Sequence, residues 1–193
     1  MNFSVGEYIR PCKDEKVSGD IIIVKELEDS LQVSMVDVLG HGDDAHAVAK
    51  KIERFLMSTE ALSPSSILKA LNKDIQSTRG AAVGICNIHR ESGAITYSGI
   101  GNTGIRIRSS KVFGGFSKEG VVGQYTRSIE DIEGSINNGD IIIMYSDGLT
   151  SRFNFPQISN ETNESLSVIA RDFVYEYGKE FDDSSCVIIE CRK

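Results

Sequence analysis

The sequence predicts an α/β fold of the mixed kind (α+β), in which antiparallel strands carry helices packed on a sheet face. Three observations predict it. Two strongly apolar runs, 21–24 and 31–36, flank a short charged turn and read as a β-hairpin. Two consecutive segments of helical period follow, beginning at Asp44 and Ser63, and stand between that hairpin and the next strands. A third helical pattern runs from Leu166 to Tyr177, just ahead of the last strand.

Residues 3–9 make a first strand, followed by a loop at Pro11. Ser18-Gly19-Asp20 opens the strand 21–24, Glu26, Glu28 and Asp29 mark the turn, and 31–36 returns. Asp20 precedes one strand and Asp37 follows its antiparallel partner, so both aspartates lie at the same end of the hairpin. Ala45, Val48, Ala49, Ile52, Phe55 and Leu56 recur at three- and four-residue spacing, with Asp43 or Asp44 as the expected cap. Ser63 is the N-cap of the second helix, Pro64 occupies its first turn, and Ile67, Leu68, Leu71 and Ile75 form its buried stripe. Residues 80–88, 94–98 and 104–107 read as three antiparallel strands, and 111–128 as a glycine-rich loop with a short strand or two. Asn137-Asn138-Gly139-Asp140 is a turn before the buried strand 141–145, which ends at Ser146-Asp147-Gly148. A polar loop, 151–162, leads to the third helix, stopped by Gly178, and Asp182-Asp183 leads into the strand 186–190.

The chain has 193 residues, 40% hydrophobic and 25% charged, which suits a single domain over 1–193 with a real core. No stretch approaches the roughly 20 apolar residues of a membrane span, and the N-terminus lacks the pattern of a secretory signal. Cys12, Cys86, Cys186 and Cys191 show no zinc spacing, so reduced thiols in a cytoplasmic protein are expected. A formal charge of −7 argues against an extended nucleic-acid surface. The excess acid serves either solubility or a metal, and position decides between them.

Position favours a metal. Asp20, Asp37, Asp147 and Asp182-Asp183 all stand where strands meet loops, and three of these places pair a carboxylate with glycine: Gly19-Asp20, Asp37 with Gly40 and Gly42, and Asp147-Gly148. Converging carboxylates repel one another unless cations are present, and hard divalent ions prefer such oxygen ligands. Two ions can share a water and lower its pKa, which supplies a nucleophile without any nucleophilic side chain.

Taken in order, Ser18-Gly19-Asp20, then Asp37-Val38-Leu39-Gly40-His41-Gly42, then Gly139-Asp140 ahead of Tyr145-Ser146-Asp147-Gly148-Leu149, then Asp182-Asp183-Ser184-Ser185 resemble the metal-dependent protein phosphatase 2C superfamily. The likeness is greatest to its bacterial branch, typified by sporulation stage II protein E and the sigma-B regulatory phosphatases. Each motif is weak alone, but the ordered set runs over nearly the whole chain. Most of that branch carries sensory domains ahead of the phosphatase. This chain starts almost at the first motif, which is similar to the small stressosome feedback phosphatases of the RsbX type and leads us to expect no sensory domain.

The expected architecture is a four-layer α/β/β/α sandwich, two mainly antiparallel sheets flanked by helices, with the site at one edge. The resemblance implies two ions, Mn²⁺ or Mg²⁺. Asp37 would bridge them, the Val38 carbonyl would bind one, and Asp147 and Asp182 would hold the other. Asp20 would act through metal-bound water. Asp183 matches a neighbouring position that orients the ligands, and Gly19 and Gly40 belong to the ligand turns. The implied reaction is hydrolysis of phosphoserine or phosphothreonine on a bacterial regulatory protein, of the anti-sigma-antagonist (STAS) or stressosome kind, without nucleic acid or membrane. Phe181 stands where the family commonly has a basic residue, and Ser184-Ser185 replaces an apolar–threonine pair. Both departures bear on substrate preference.

Other patterns carry less. Gly99-Ile100-Gly101-Asn102-Thr103-Gly104 matches a dinucleotide fingerprint, but the alternation of residues 105–108 is that of a strand, and the fingerprint must open a helix. Cys186 and Arg192 have the spacing of a cysteine phosphatase, but the residues between lack glycine and read as ladder strand. His46 reads as a helix-surface residue and His89 as a strand end. His41 lies in the motif and is open between a turn residue, a hydrogen-bond donor to the ligands and a proton donor to the leaving group. Arg10, Arg79, Arg106 and Arg127 are the cations available for a phosphate. A phosphatase-fold binding module without turnover and a small-molecule metal phosphatase are the alternatives.

Overall fold

The computed structural model describes residues 1–60, 62–109, 114–158 and 165–192. Its elements in chain order are β1 (Asn2–Arg10), β2 (Asp20–Glu26), β3 (Ser30–Val38), α1 (Gly42–Ser58), α2 (Pro64–Asp74), β4 (Ala81–His89), β5 (Ala94–Ile100), β6 (Gly104–Arg108), β7 (Gly114–Phe116), β8 (Ile132–Ser135), β9 (Ile141–Tyr145), α3 (Leu166–Tyr177) and β10 (Ser184–Arg192). The strands form two antiparallel sheets of five, ordered β2-β3-β4-β5-β8 and β1-β10-β9-β6-β7.

Three apolar layers hold the stack together, and strand alternation assigns residues to them. On β2 and β3, Ile21, Ile23, Val36 and Val38 meet the stripe Ala45, Ala49, Ile52 and Leu56 of α1 and Ile67, Leu68 and Leu71 of α2. The alternate residues Ile22, Leu31, Val33 and Met35 meet Ile142, Met144, Val187 and Ile189 from the other sheet. Behind that sheet, Ile143, Cys186 and Ile188 pack against Leu166, Ala170, Phe173 and Val174 of α3. The expected four-layer α/β/β/α sandwich is therefore present. No helix among the described residues is long and apolar enough to cross a membrane.

Local signals fared unevenly. Ser63 caps α2 by accepting from the Ser66 amide, as its position before Pro64 predicts. Asp43 and Asp44 do not cap α1. They fall in its first turn, and His41 takes the N-cap position without a side-chain bond to the helix amides. Residues 104–107 form a strand as expected, but β6 leaves β5 and joins β9 in the other sheet. The glycine-rich turn Gly99–Gly104 allows that switch, and periodicity carries no record of sheet membership. β8 has little apolar alternation and was not expected. Part of the expected loops, 110–113 and 159–164, lies outside the described residues.

Candidate metal centre

Asp20 faces Asp37 directly across the β2–β3 ladder. The adjoining pair is hydrogen-bonded, Val38 N–H donating to the Gly19 carbonyl at 3.3 Å. Asp20 and Asp37 are therefore a non-hydrogen-bonded pair, in which Cα atoms approach to about 4.5 Å and side chains lie closest. Both share a face with Ile22 and Met35, so the two carboxylates close one end of the layer between the sheets. Asp37 lies inside β3, one residue before its end.

The start of β10 meets this pair. Asp183 is buried and accepts from Cys12 N–H at 2.8 Å and Gly19 N–H at 2.7 Å. In a continued ladder the Gly19 N–H would donate to the Val38 carbonyl. It is given to Asp183 instead, which leaves that carbonyl without its sheet donor. Asp20 Oδ2 accepts from Ser185 Oγ at 2.7 Å. Asp20 is only 4% exposed, and its Oδ1 has no hydrogen-bond partner. Such an orphaned carboxylate oxygen is costly.

Asp147 comes from the turn after β9. The Asn102 amide donates to its Oδ2, and Lys179 Nζ donates to its carbonyl at 2.5 Å. The glycine beside it serves close approach: a Cβ on Gly148 would lie 1.8 Å from the Asp183 carbonyl oxygen. Gly148 thus lets the Asp147 turn touch the Asp182-Asp183 loop. In the Asp37 turn the glycines serve conformation, since Gly40 and Gly42 have φ of 85° and 74°.

The carboxylates feel one another. Burial, then the charges of Asp20, Asp147 and Asp182, and a hydrogen bond with Asp147 push the Asp37 carboxyl up to about 9. Burial pushes Asp20 up to about 7, with Asp183 and Asp182 adding to the shift against the Ser146 and Ser185 hydroxyls. Asp182 is raised by burial and by Asp147, while the Lys179 ammonium opposes the shift. Among the described residues no three His, Cys, Asp or Glu side chains are spaced as a closed ligand set. The acids converge without closing. An orphaned carboxylate oxygen, a carbonyl released from its ladder and mutually repelling carboxylates are nonetheless a donor set that fits a hard divalent cation.

The remaining residues sort themselves by contact. His41 bonds through Nδ1 to Glu15 Oε1 at 2.8 Å and stands half exposed at the rim. His46 is not a free surface residue; its Nδ1 bonds the Ser18 carbonyl at 2.8 Å and braces the Gly19-Asp20 turn. Gly99–Gly104 opens a strand and no helix. Cys186 lies in β10 between two ladder partners, with burial pushing its thiol up to about 12, so it is no nucleophile. Arg106 is stacked 4.3 Å over Phe153, and Arg127 pairs with Glu119. Arg10 donates to the Lys179 carbonyl. Arg79 alone of the four donates to the Asp37 turn, reaching the Leu39 carbonyl at 3.0 Å. The sequence gives no role to the Cys12 amide, Asn102 or Lys179, and it shows Ser146 only as a neighbour of Asp147 in the motif. Asn102 had one signal, its place in the glycine turn; a backbone amide such as that of Cys12 leaves none.

Comparison with known proteins gives a consistent answer. The model of the family Stage II sporulation protein E (SpoIIE) matches residues 28–189. No curated protein matches the chain at a significant level. Among solved structures, one from work on the bacterial stressosome as a modular system superposes with a TM-score of 0.88 at 22% identity, over 98% of this chain and 100% of that one. RsbX in complex with magnesium gives 0.80 at 20% identity, over 97% and 94%. The PP2C phosphatase domain of SpoIIE from Bacillus subtilis, with a fragment of its regulatory domain, gives 0.74 at 17% identity, over 98% and 63%.

Proposed function

The chain belongs to the Stage II sporulation protein E family and has the protein phosphatase 2C fold, and from that premise we propose that it is a metal-dependent protein phosphatase acting on phosphoserine or phosphothreonine. Its substrate is a phosphorylated bacterial regulatory protein of the STAS or stressosome kind. The observation that carries this reading is the orphaned Asp20 Oδ1 beside Asp37, at the one sheet edge where Asp147 and Asp182 also raise the Asp37 carboxyl.

Asp37 and the Val38 carbonyl would hold one ion, Asp37, Asp147 and Asp182 the other, and Asp20 would act through water. Bound there, Mn²⁺ or Mg²⁺ supplies Lewis acidity, meaning charge for the phosphoryl oxygens and acidification of water. The protein's own work is to hold oxygen donors still. Asp183 fixes the Gly19 and Cys12 amides, Ser185 fixes one oxygen of Asp20, and Asn102 turns Asp147. Lys179 anchors the Asp147 turn while its charge opposes the upward shift that burial and Asp147 impose on Asp182. The magnesium in the RsbX complex and the stressosome origin of the other neighbour support the metal and the partner class.

The test is phosphate release from a serine-phosphorylated STAS-domain protein with and without Mn²⁺, alongside Mn²⁺ titration calorimetry. Asp147→Ala or Asp182→Ala should each weaken Mn²⁺ binding, and the double variant should lose little more turnover than either, because ligands of one ion act as a unit. Single variants that bind Mn²⁺ and turn over like wild type overturn the assignment. The unclosed spacing of the carboxylates favours one second reading, a binding module on the phosphatase fold. It predicts tight binding of the phosphoprotein and no phosphate release at any Mn²⁺ concentration.

A further inference from the structure

Phe181 is 77% exposed, the most exposed large hydrophobic side chain among the described residues, and it directly precedes Asp182. Lys13 Nζ lies 5.5 Å over its ring. Lys13 is itself held by its backbone N–H, which donates to the Glu180 carbonyl at 2.9 Å, and by an exposed ion pair with the Glu180 carboxylate at 3.5 Å. Behind Lys13 a cleft opens, lined by Arg10, Pro11, Lys13 and Glu180. Arg10 is half buried, its guanidinium hydrogen-bonds only the Lys179 carbonyl and the Ser184 hydroxyl, and it has no carboxylate partner among the described residues. Beyond it lies Tyr175, 60% exposed, its ring 5.9 Å from the Arg10 guanidinium carbon.

An exposed aromatic, two cations and a second aromatic thus form one continuous face that ends on a proposed metal ligand. Rigid aromatics and arginine are the side chains that dominate protein interfaces. The charge is the more telling feature. The chain carries a net −7, so an acidic partner meets repulsion from the molecule as a whole. Here Arg10 offers a guanidinium with no charge opposite, and the exposed Lys13–Glu180 pair is weak enough to exchange partners.

We infer that the face from Phe181 over Lys13 to Arg10 docks the phosphoprotein, selecting an acidic segment with an apolar side chain next to the phosphorylated residue. The inference rests on the phosphatase proposed above, because the face is adjacent to that site. Phe181 contributes the apolar anchor, Lys13 holds its ring, and Arg10 pairs with the partner's carboxylate.

Phe181→Ala and Lys13→Glu test it, neither residue being a proposed ligand. The measurement is kcat and KM with Mn²⁺ on a serine-phosphorylated STAS-domain protein and on para-nitrophenyl phosphate. KM for the phosphoprotein should rise about tenfold in each variant, the size of a modest interface hot spot. Turnover of the small aryl phosphate should not change, and the Lys13→Glu effect should shrink as salt is raised. An unchanged KM for the phosphoprotein in both variants, or equal losses on both substrates, overturns the docking face while the hydrolase stands. Calorimetric binding of the phosphoprotein separates the opposite case: binding lost in Phe181→Ala, from a wild type that releases no phosphate, keeps the docking face and overturns the hydrolase.

Discussion

Asp37 is held by β3 in a position that burial and three like charges make unfavourable for a carboxylate. Asp37→Ala should therefore abolish phosphate release, a loss of at least a hundredfold, while Asp29→Ala in the β2–β3 turn should leave it within about twofold. The metal-free Asp37→Ala protein should fold and melt no lower than wild type, since an acid has left a repelling cluster. Comparable small losses of turnover in both variants would remove Asp37 from the centre. The same position predicts a pH dependence. The folded values of about 7 for Asp20 and about 9 for Asp37 lie above the value of about 3.9 for an unfolded aspartate. Their contribution to stability is fully present below about pH 4 and is lost as pH rises through 7 and then 9. Without divalent ions the melting temperature should fall across that range; Mn²⁺ should restore it, and Asp37→Asn should flatten the fall. A midpoint that rises with pH in metal-free buffer would contradict this placement.

At the scale of elements, the site is joined by Asp183, which ties the loop after β1 and the turn before β2 to the start of β10. Asp183→Ala leaves two buried N–H groups without acceptors and should cost about 2–5 kcal/mol in urea unfolding, with loss of Mn²⁺ affinity. Ser63→Ala removes a helix cap far from the carboxylates; it should cost about 1 kcal/mol and leave Mn²⁺ affinity unchanged. Equal Mn²⁺ affinities in the two variants would mean that Asp183 only stabilises the fold. Most elements were legible in the sequence because each has its own period: Ile67, Leu68 and Leu71 mark α2 whatever surrounds it. The hairpin pattern sets Asp20 and Asp37 at one end, and the ladder puts them face to face. What local pattern does not encode is partnership between distant segments. β6 has the alternation of any strand, so its exchange of β5 for β9 was not visible. The Cys12 amide and Lys179 reach the site through folding alone, and Asp43 and Asp44 pattern as caps because a cap and a first-turn acid share the same residue types.

For the whole molecule, all four cysteines are buried free thiols, Cys86, Cys186 and Cys191 within the apolar layers and Cys12 in the loop after β1. Native protein should resist iodoacetamide, and its phosphate release should survive the treatment but stop on exhaustive chelation. Activity that persists after chelation and disappears in Cys186→Ser would reverse the assignment of the nucleophile.

The order of the second sheet has a consequence for synthesis. β1 has a single neighbour, β10, with Asn2 opposite Arg192 and Arg10 opposite Ser184. A nascent chain emerges from the ribosome N-terminus first, so β1 has no ladder partner until β10 has cleared the exit tunnel. The Cys12 amide waits with it, and so does the Gly19 amide, because both are held by a carboxylate translated near the end. The acidic centre is therefore completed only once Asp183 and β10 have emerged. An unfinished chain still tethered to the ribosome, with β2 through β9 already made, would lack it.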